Sequence, residues 1–267
     1  MIVVTSPLTG QVMGEVAALD GPAVHAAVAR ARVASRAWAE QGVRRRVAVL
    51  ERVLVSFVEA REDLIDRLIQ ETGKVRGDAL TELLIFFDTA RYYLSHAEKL
   101  LDDEVITPHL LKHKRGVVTY LPRGVVGIIS PWNFPIDLGL GEVFPALLAG
   151  NAVVLKPSEL TPLINLELSR LANQAGLPGG VLQVLTGAAE TGAAMCEAVD
   201  QVTFTGSVNV GRKVAAVAAR RLIPCTLELG GKDPMLVLRD ADLERAASAA
   251  VWDCCRKPVN SRCITAR

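Results

Sequence analysis

Apolar side chains recur every three or four positions through most of the first hundred residues, which is the spacing of amphipathic helices. The first such stretch follows Asp20, a residue type that caps helix starts, and ends near Trp38. A second begins at about residue 47 and stops at Gly73, and a third runs from about Asp78 to Leu101. The pattern predicts long helices that serve as scaffold.

Two shorter segments predict β-hairpins. The chain opens with alternating apolar and polar residues around a Pro-Leu-Thr-Gly turn signal at residues 7–10. Residues 105–121 place β-prone stretches on both sides of the basic run Lys112 to Arg115. A solvated strand edge or turn is the preferred interpretation of that run, and an anion site is the alternative. A protruding hairpin that pairs between subunits would show the same pattern.

From Gly124 onward, short apolar strands alternate with helical stretches. The strands are predicted at residues 125–129, 152–155, 181–185 and 201–204. Continuous apolar strands followed by helices indicate a parallel sheet covered on both faces, an α/β fold of the doubly wound type. Ligands bind such sheets beyond the carboxyl ends of the strands. The loops at residues 130–135, 156–159 and 205–211 are therefore where we expect chemistry.

Composition narrows the class of protein further. Hydrophobic residues make up 50% of the 267 residues, and 30 Lys+Arg against 29 Asp+Glu give a formal net charge of +1. Such a chain is not disordered, and its charge balance argues against nucleic-acid binding. The five cysteines form no C-x-x-C pair, and neither a signal peptide nor a membrane span is evident. We expect a cytoplasmic protein with no membrane or nucleic-acid partner and no metal site.

Two of the loops carry residues suited to a nucleotide. Gly206 to Gly211 joins a strand to a helix, where backbone N–H groups and the hydroxyl of Ser207 suit a pyrophosphate. A tight strand-to-helix turn explains that segment equally well. Lys156 and Glu159 lie in a proline-stiffened turn from which they could reach ribose hydroxyls. An ordinary turn and helix cap is the alternative that this segment alone favours.

Two other residues suit acid–base and covalent chemistry. Glu228 lies between leucines before a glycine pair, and apolar surroundings would raise the pKa of its carboxyl toward the range of a general base. A surface glutamate at a strand end is the alternative. Cys263 would be a nucleophile if a positive group or a helix start favoured its thiolate. Cys196 and Cys225 are better interpreted as packing residues.

Taken together, these segments resemble motifs of the aldehyde dehydrogenase superfamily, in that family's order and approximate spacing. The matching stretches are Pro131 to Pro135 (PWNFP), Lys156 to Glu159 (KPSE), Phe204 to Gly211 (FTGSVNVG) and Leu227 to Lys232 (LELGGK). Glu71 to Lys74 (ETGK) and Pro145 to Asn151 are also similar to the family. Four linked motifs are far more specific than one, and the resemblance implies an NAD-dependent oxidation of an aldehyde to a carboxylic acid.

The resemblance also implies which residues bind the cofactor. Lys156 and Glu159 resemble the pair that holds the adenosine ribose, and a carboxylate there favours NAD over NADP. The pyrophosphate-binding turn is matched by Gly206, Ser207 and Gly211. Trp132 and Leu229 complete the cofactor-binding set that the resemblance implies.

For catalysis, the resemblance implies three roles. The side-chain amide of Asn133 resembles the donor to the developing oxyanion, Glu228 resembles the base that activates water, and Cys263 is the candidate nucleophile. The implied reaction adds the cysteine thiolate to the aldehyde, passes a hydride to the nicotinamide, and hydrolyses the remaining thioester.

Near its carboxyl end the chain departs from the family pattern. The residues before Cys263 lack the glycine and glutamine of the family motif Asn-x-Gly-Gln-x-Cys, and Pro258 alters the local backbone. The resemblance spans only about the first half of the family's usual length. It implies an NAD-binding domain at residues 1–230, with an oligomerisation-type hairpin at 105–121, and an incomplete catalytic domain at 231–267.

For the chain as given, we expect an activity that is low or absent. A fragment, a decayed gene or a reading-frame error would each produce this ending, and a noncatalytic NAD-binding remnant is the alternative function. The resemblance implies a homo-oligomer in which a C-terminal strand pairs with the hairpin between subunits, and a chain that lacks this strand would leave the hairpin an exposed edge.

Overall fold

The computed structural model describes residues 1–231 and 234–255, and within them strands and helices follow each other as the sequence pattern indicates. The strands are β1 (Ile2–Thr5), β2 (Val12–Val16), β3 (Glu104–Ile106), β4 (Gly116–Val118), β5 (Val125–Ile129), β6 (Ala152–Lys156), β7 (Leu182–Val184), β8 (Gln201–Gly206) and β9 (Cys225–Leu229). The helices are α1 (Gly21–Glu40), α2 (Gly42–Glu59), α3 (Arg61–Thr72), α4 (Arg76–Leu100), α5 (Asp137–Leu148), α6 (Pro162–Gln174), α7 (Ala189–Cys196), α8 (Val208–Arg221) and α9 (Leu243–Cys255).

Five parallel strands form the central sheet, in the order β7-β6-β5-β8-β9. The chain moves outward from β5 to β7 on one side and then returns to place β8 and β9 on the other. The strand order therefore reverses between β5 and β8, which is where doubly wound sheets bind ligands. This arrangement confirms the fold class predicted from the sequence.

Apolar residues fill both faces of the sheet, because successive side chains of a strand point in opposite directions. Val126 and Val153 belong to the core on the face covered by α2, α5 and α6, while Val125 and Val154 belong to the core on the opposite face. Helix α1 lies on that opposite face beside α7. It contributes Val24, Ala27, Val28 and Ala31 to the core on that face.

Several side chains anchor these N-terminal segments to the sheet layer. Trp38 is buried, and its Nε1 donates to the carbonyl of Leu147 at 2.8 Å. Arg46 donates from Nε to the carbonyl of Leu148 at 2.9 Å, and burial lowers the pKa of its guanidinium. Both residues thus donate to carbonyls in the last turn of α5, where intrahelical donors run out, and the Leu147 carbonyl also accepts from the N–H of Gly150 at 2.9 Å.

Comparison with the sequence pattern shows an error in the N-terminal helices. The periodic stretch ending at Gly73 is two helices, because the backbone leaves helical geometry at Ala60, where the sequence carries no breaker. The predicted stop at Gly73 is confirmed, since this residue caps α3 in the left-handed conformation with φ 76°. The predicted cap at Asp20 is also confirmed, with its side chain accepting from the N–H of Ala23 at 2.9 Å.

Both predicted hairpins form. β1 pairs with β2, and β3 pairs with β4 in a separate antiparallel sheet whose apolar side chains include the exposed Val105 and Val117. Pairing of the second hairpin between subunits stays a prediction, as does the domain boundary near residue 230. Among the described residues, no helix combines the length and apolar character needed to cross a membrane.

Candidate active site

Three loops meet at the carboxyl edge of the sheet, beside the point where the strand order reverses. Ile129, the last residue of β5, lies opposite both Lys156 of β6 and Phe204 of β8. The loops that follow these strands therefore leave the sheet at the same level. They are residues 130–136, 157–161 and the Gly206–Ser207 turn, and the sequence motifs fall in all three.

Lys156 and Glu159 form one cluster at this edge. Lys156 is 5% exposed, and its Nζ donates to the carbonyl of Pro157 at 2.9 Å and lies 3.6 Å from Oε2 of Glu159. Burial lowers the pKa of the Lys156 ammonium, while Glu159 opposes that effect. The Glu159 carboxylate is 49% exposed. An ammonium and an accessible carboxylate side by side can donate to and accept from a pair of vicinal hydroxyls.

Helix α8 begins directly after Gly206. Ser207 is its N-cap, and the Ser207 Oγ accepts from the N–H of Val210 at 3.4 Å. The helix therefore begins at Val208, within the segment Gly206 to Gly211 that the sequence pattern assigned to the connection between strand and helix. The start of α8, with its positive dipole end, lies next to the reversal point of the sheet.

Close packing explains two of the motif glycines without a ligand. A Cβ at Gly206 would lie 2.7 Å from the ring of Phe204, and a Cβ at Gly211 would lie 2.4 Å from a methyl group of Leu229. Glycine at the second position lets α8 approach β9, the packing role that a glycine in a nucleotide-binding turn can also have. The pyrophosphate-binding role of these residues stays a prediction.

The loop after β5 carries Trp132 and Asn133, both partly buried. Asn133 Oδ1 accepts from the N–H of Phe134 at 3.1 Å. Two residues to which the sequence analysis assigned no role, Lys74 and Glu82, lie beneath this loop. The Lys74 ammonium lies 3.8 Å from the ring centroid of Phe134 and pairs with Glu82, a carboxylate with 0% exposure.

Glu228 and Leu229 lie at the end of β9, the edge strand, opposite Thr205 and Gly206. The structure contradicts the apolar surroundings expected for Glu228, because this side chain is exposed in the described residues. An edge strand leaves one side of its end open, which the sequence pattern could not reveal. A second carboxylate is close by, since desolvation and then the charges of Glu228 and Asp137 raise the pKa of Glu142.

The structure thus brings together Trp132, Asn133, Lys156, Glu159, Gly206, Ser207, Gly211, Glu228 and Leu229 along one edge of the sheet. Cys263, the predicted nucleophile, lies outside the described residues. Burial raises the pKa of Cys196 to about 11, and it also raises that of Cys225, so neither thiol is suited to act as a thiolate.

A doubly wound sheet with polar loops at its reversal point is the architecture of a dinucleotide-binding protein. Comparison with known proteins makes the assignment specific. The model of the aldehyde dehydrogenase family matches residues 1–265, and the chain belongs to this family.

Individual relatives agree with that assignment. A putative succinate-semialdehyde dehydrogenase [NADP(+)] of Mycolicibacterium smegmatis is 44% identical over 232 residues, 86% of this chain and 45% of the relative. The putative aldehyde dehydrogenase PutA of Anabaena variabilis superposes with a TM-score of 0.88 at 38% identity, covering 94% of this chain and 53% of that one. PnpE in complex with nicotinamide adenine dinucleotide gives 0.90 at 34% identity, with 96% and 53% covered. The chain spans about half the length of the relatives it matches.

Proposed function

We propose that this chain binds NAD at the carboxyl edge of its sheet, as the cofactor-binding part of an aldehyde-oxidising enzyme. The observation that carries the proposal is the Lys156–Glu159 cluster beside the reversal point, in a chain that belongs to the aldehyde dehydrogenase family. The residues present fit a dinucleotide. The cluster suits the hydroxyls of a ribose, and the start of α8 with Ser207 suits a pyrophosphate.

Electrostatics supports NAD over NADP. A 2′-phosphate on the ribose would bring a charge of about −2 against the Glu159 carboxylate, and Lys156 supplies only one positive charge to offset both. Relatives include proteins named for NADP as well as one solved with nicotinamide adenine dinucleotide. Family membership therefore does not distinguish NAD from NADP. Within this chain, the Glu159 carboxylate favours the free 2′-hydroxyl of NAD.

For the reaction we propose three roles. The Cys263 thiolate would add to the aldehyde carbonyl, and the Asn133 amide would donate to the oxyanion that forms. Bound NAD supplies the hydride acceptor. Glu228 would take a proton from the water that attacks the resulting thioester, releasing the carboxylic acid and the thiolate. The exposure of Glu228 and the altered motif before Cys263 support a turnover that is low or absent in this chain.

Binding and turnover can be measured separately on residues 1–267. Calorimetry with NAD and NADP gives the two dissociation constants, and Lys156→Met should weaken NAD binding while the exposed Lys99→Met should not. We expect Glu159→Gln to improve NADP relative to NAD by about tenfold, or about 1.4 kcal/mol, since this carboxylate is half exposed. Tighter binding of NADP than of NAD by the wild-type chain would refute the cofactor choice, and no binding of either would refute the function.

Turnover is followed by NADH absorbance with an aldehyde panel that includes succinate semialdehyde, because several relatives are named for it. Any rate should disappear in Cys263→Ala and persist in Cys225→Ser. A rate unaffected by Cys263→Ala would exclude this cysteine as the nucleophile.

A further inference from the structure

Two buried carboxylates in the N-terminal helices have no part in the function described so far. Glu71 lies in the last turn of α3, and Glu82 lies in the second turn of α4. We propose, on the basis of the dinucleotide-binding function above, that both are positioning residues. Glu82 holds the loop that carries Trp132 and Asn133, and Glu71 holds the start of the helix that follows Lys156 and Glu159.

Glu82 secures the backbone immediately after Asn133. Its Oε1 accepts from the N–H groups of Ile136 at 2.8 Å and Asp137 at 3.2 Å, where α5 begins. Its other oxygen, Oε2, pairs with the Lys74 ammonium, which also lies against the ring of Phe134. A fully buried carboxylate is costly unless it is paired and hydrogen-bonded, and this one is both. The contacts therefore bind one side of the Asn133 loop to α4.

Glu71 does the same for the neighbouring loop. Its Oε1 accepts from the N–H of Leu163 at 2.7 Å and its Oε2 from the N–H of Ile164 at 2.8 Å. The side chain of Thr161, the N-cap of α6, makes no capping hydrogen bond. A local serine or aspartate would satisfy such donors equally well. A carboxylate from α3 satisfies them and also ties α6 to a second helix.

Both carboxylates belong to the helical hairpin formed by α3, α4 and the turn between them. Thr72 Oγ1 donates to the carbonyl of Leu68 at 2.5 Å and accepts from the N–H of Lys74 at 3.3 Å. Gly73 in this turn is left-handed, and a Cβ there would lie 3.3 Å from the ring of Pro7. One braced helical hairpin thus sets the separation of the two loops that the proposed cofactor would bridge. Side chains that orient binding residues are part of a functional site even when they never touch the ligand.

The test compares Glu71→Ala and Glu82→Ala in the full chain, with Glu98→Ala as the matched control on the exposed side of α4. AMP probes the Lys156–Glu159 end alone, whereas NAD spans both loops. We expect Glu71→Ala to weaken AMP and NAD alike by about tenfold, and Glu82→Ala to weaken NAD about tenfold while AMP changes less than about twofold. Glu→Gln at each position keeps one oxygen acceptor and should recover part of the affinity.

A purely structural role would lower the stability of both variants while the folded proteins kept wild-type affinities. Wild-type affinity for AMP in Glu71→Ala, or an unchanged ratio of AMP to NAD affinity in Glu82→Ala, would therefore overturn the proposal. Hydrogen exchange under native conditions gives a readout that needs no ligand. Glu82→Ala should speed exchange in the peptide containing residues 136–137, and Glu71→Ala in the one containing 163–164. If the wild-type chain binds neither nucleotide, the proposed function fails. This exchange pattern then decides positioning alone, and uniform or unchanged exchange would overturn it.

Discussion

Protonation of Glu71 should make the stability of the protein depend on pH in an unusual direction. Glu71 is 3% exposed, and desolvation raises the pKa of its carboxyl from 4.5 to about 7 despite the two backbone hydrogen bonds that it accepts. Between about pH 4.5 and about pH 7, the Glu71 carboxyl holds a proton in the folded chain that it has released in the unfolded chain. The free energy of unfolding therefore falls as the pH rises through this window, instead of rising as it does for a carboxyl with a depressed pKa.

The magnitude follows from the two pKa values. A difference of about 2.5 pH units corresponds to about 3 kcal/mol, fully present below about pH 4.5 and lost above about pH 7. Glu71→Gln removes the titrating group while keeping one oxygen acceptor for the start of α6. The Glu71→Gln variant should lack the fall in unfolding free energy that Glu71 causes in the wild type. The difference in unfolding free energy between wild type and variant should therefore change by about 3 kcal/mol between about pH 4.5 and about pH 7.

Urea denaturation at a series of pH values from 4.5 to 7.5 measures this difference. Other buried carboxyls, Glu82 among them, titrate in both proteins and cancel in the comparison. Glu98→Gln, which changes an exposed carboxylate paired with Arg44, should follow the wild type in parallel. A Glu71→Gln difference that stays constant with pH would show that the raised pKa of Glu71 is wrong.

Two further substitutions test packing at defined atoms. Trp38→Phe keeps an aromatic ring but removes one of the two donors to the Leu147 carbonyl, which retains the N–H of Gly150, and leaves a smaller ring in a buried site. It should cost about 1–3 kcal/mol against about 3–5 kcal/mol for Trp38→Ala in urea denaturation. Equal stability of Trp38→Phe and wild type would refute a role for that hydrogen bond. Gly124→Ala should cost at least about 2 kcal/mol, since φ is 123° and the new Cβ would lie 2.5 Å from the Asp200 carboxylate, whereas Gly179→Ala, with open space around it, should be neutral or slightly stabilising.

The pattern of apolar residues was enough to predict four of the five strands of the central sheet, because β5 and β6 are buried on both faces, but it did not predict the largely exposed β9. Residues 125–129 are a strand with the predicted bounds, and the strand that begins at Ala152 ends one residue later than predicted. The location of Asn133, Lys156 and Gly206 could then be predicted as well, because ligands bind parallel sheets beyond the carboxyl ends of the strands. The exposure of Glu228 did not follow, because it depends on β9 being an edge strand.

Glu71 and Glu82 could not be assigned from local sequence, since their partners lie 54 to 93 residues away. A signal was nevertheless present. Glu82 interrupts the buried stripe of α4 that includes Ala79, Leu83 and Phe86, and Glu71 follows Leu68 at helical spacing on the buried face of α3. A carboxylate on an apolar stripe needs a partner, and that requirement points to the helix starts it caps.

The position of α1 has a consequence for the order in which the chain can fold during synthesis. This helix leaves the ribosome early, yet the sheet face against which it packs is formed by strands from β5 onward. The carbonyl of Leu19, just before α1, accepts from Thr191 Oγ1 across 172 positions of sequence. Helix α1 must therefore wait, with its apolar face uncovered, until α7 has been translated. A gene segment that began after α4 would leave the part of β5 and β6 that α1 covers exposed, so we expect the smallest autonomous nucleotide-binding unit of this fold to include α1.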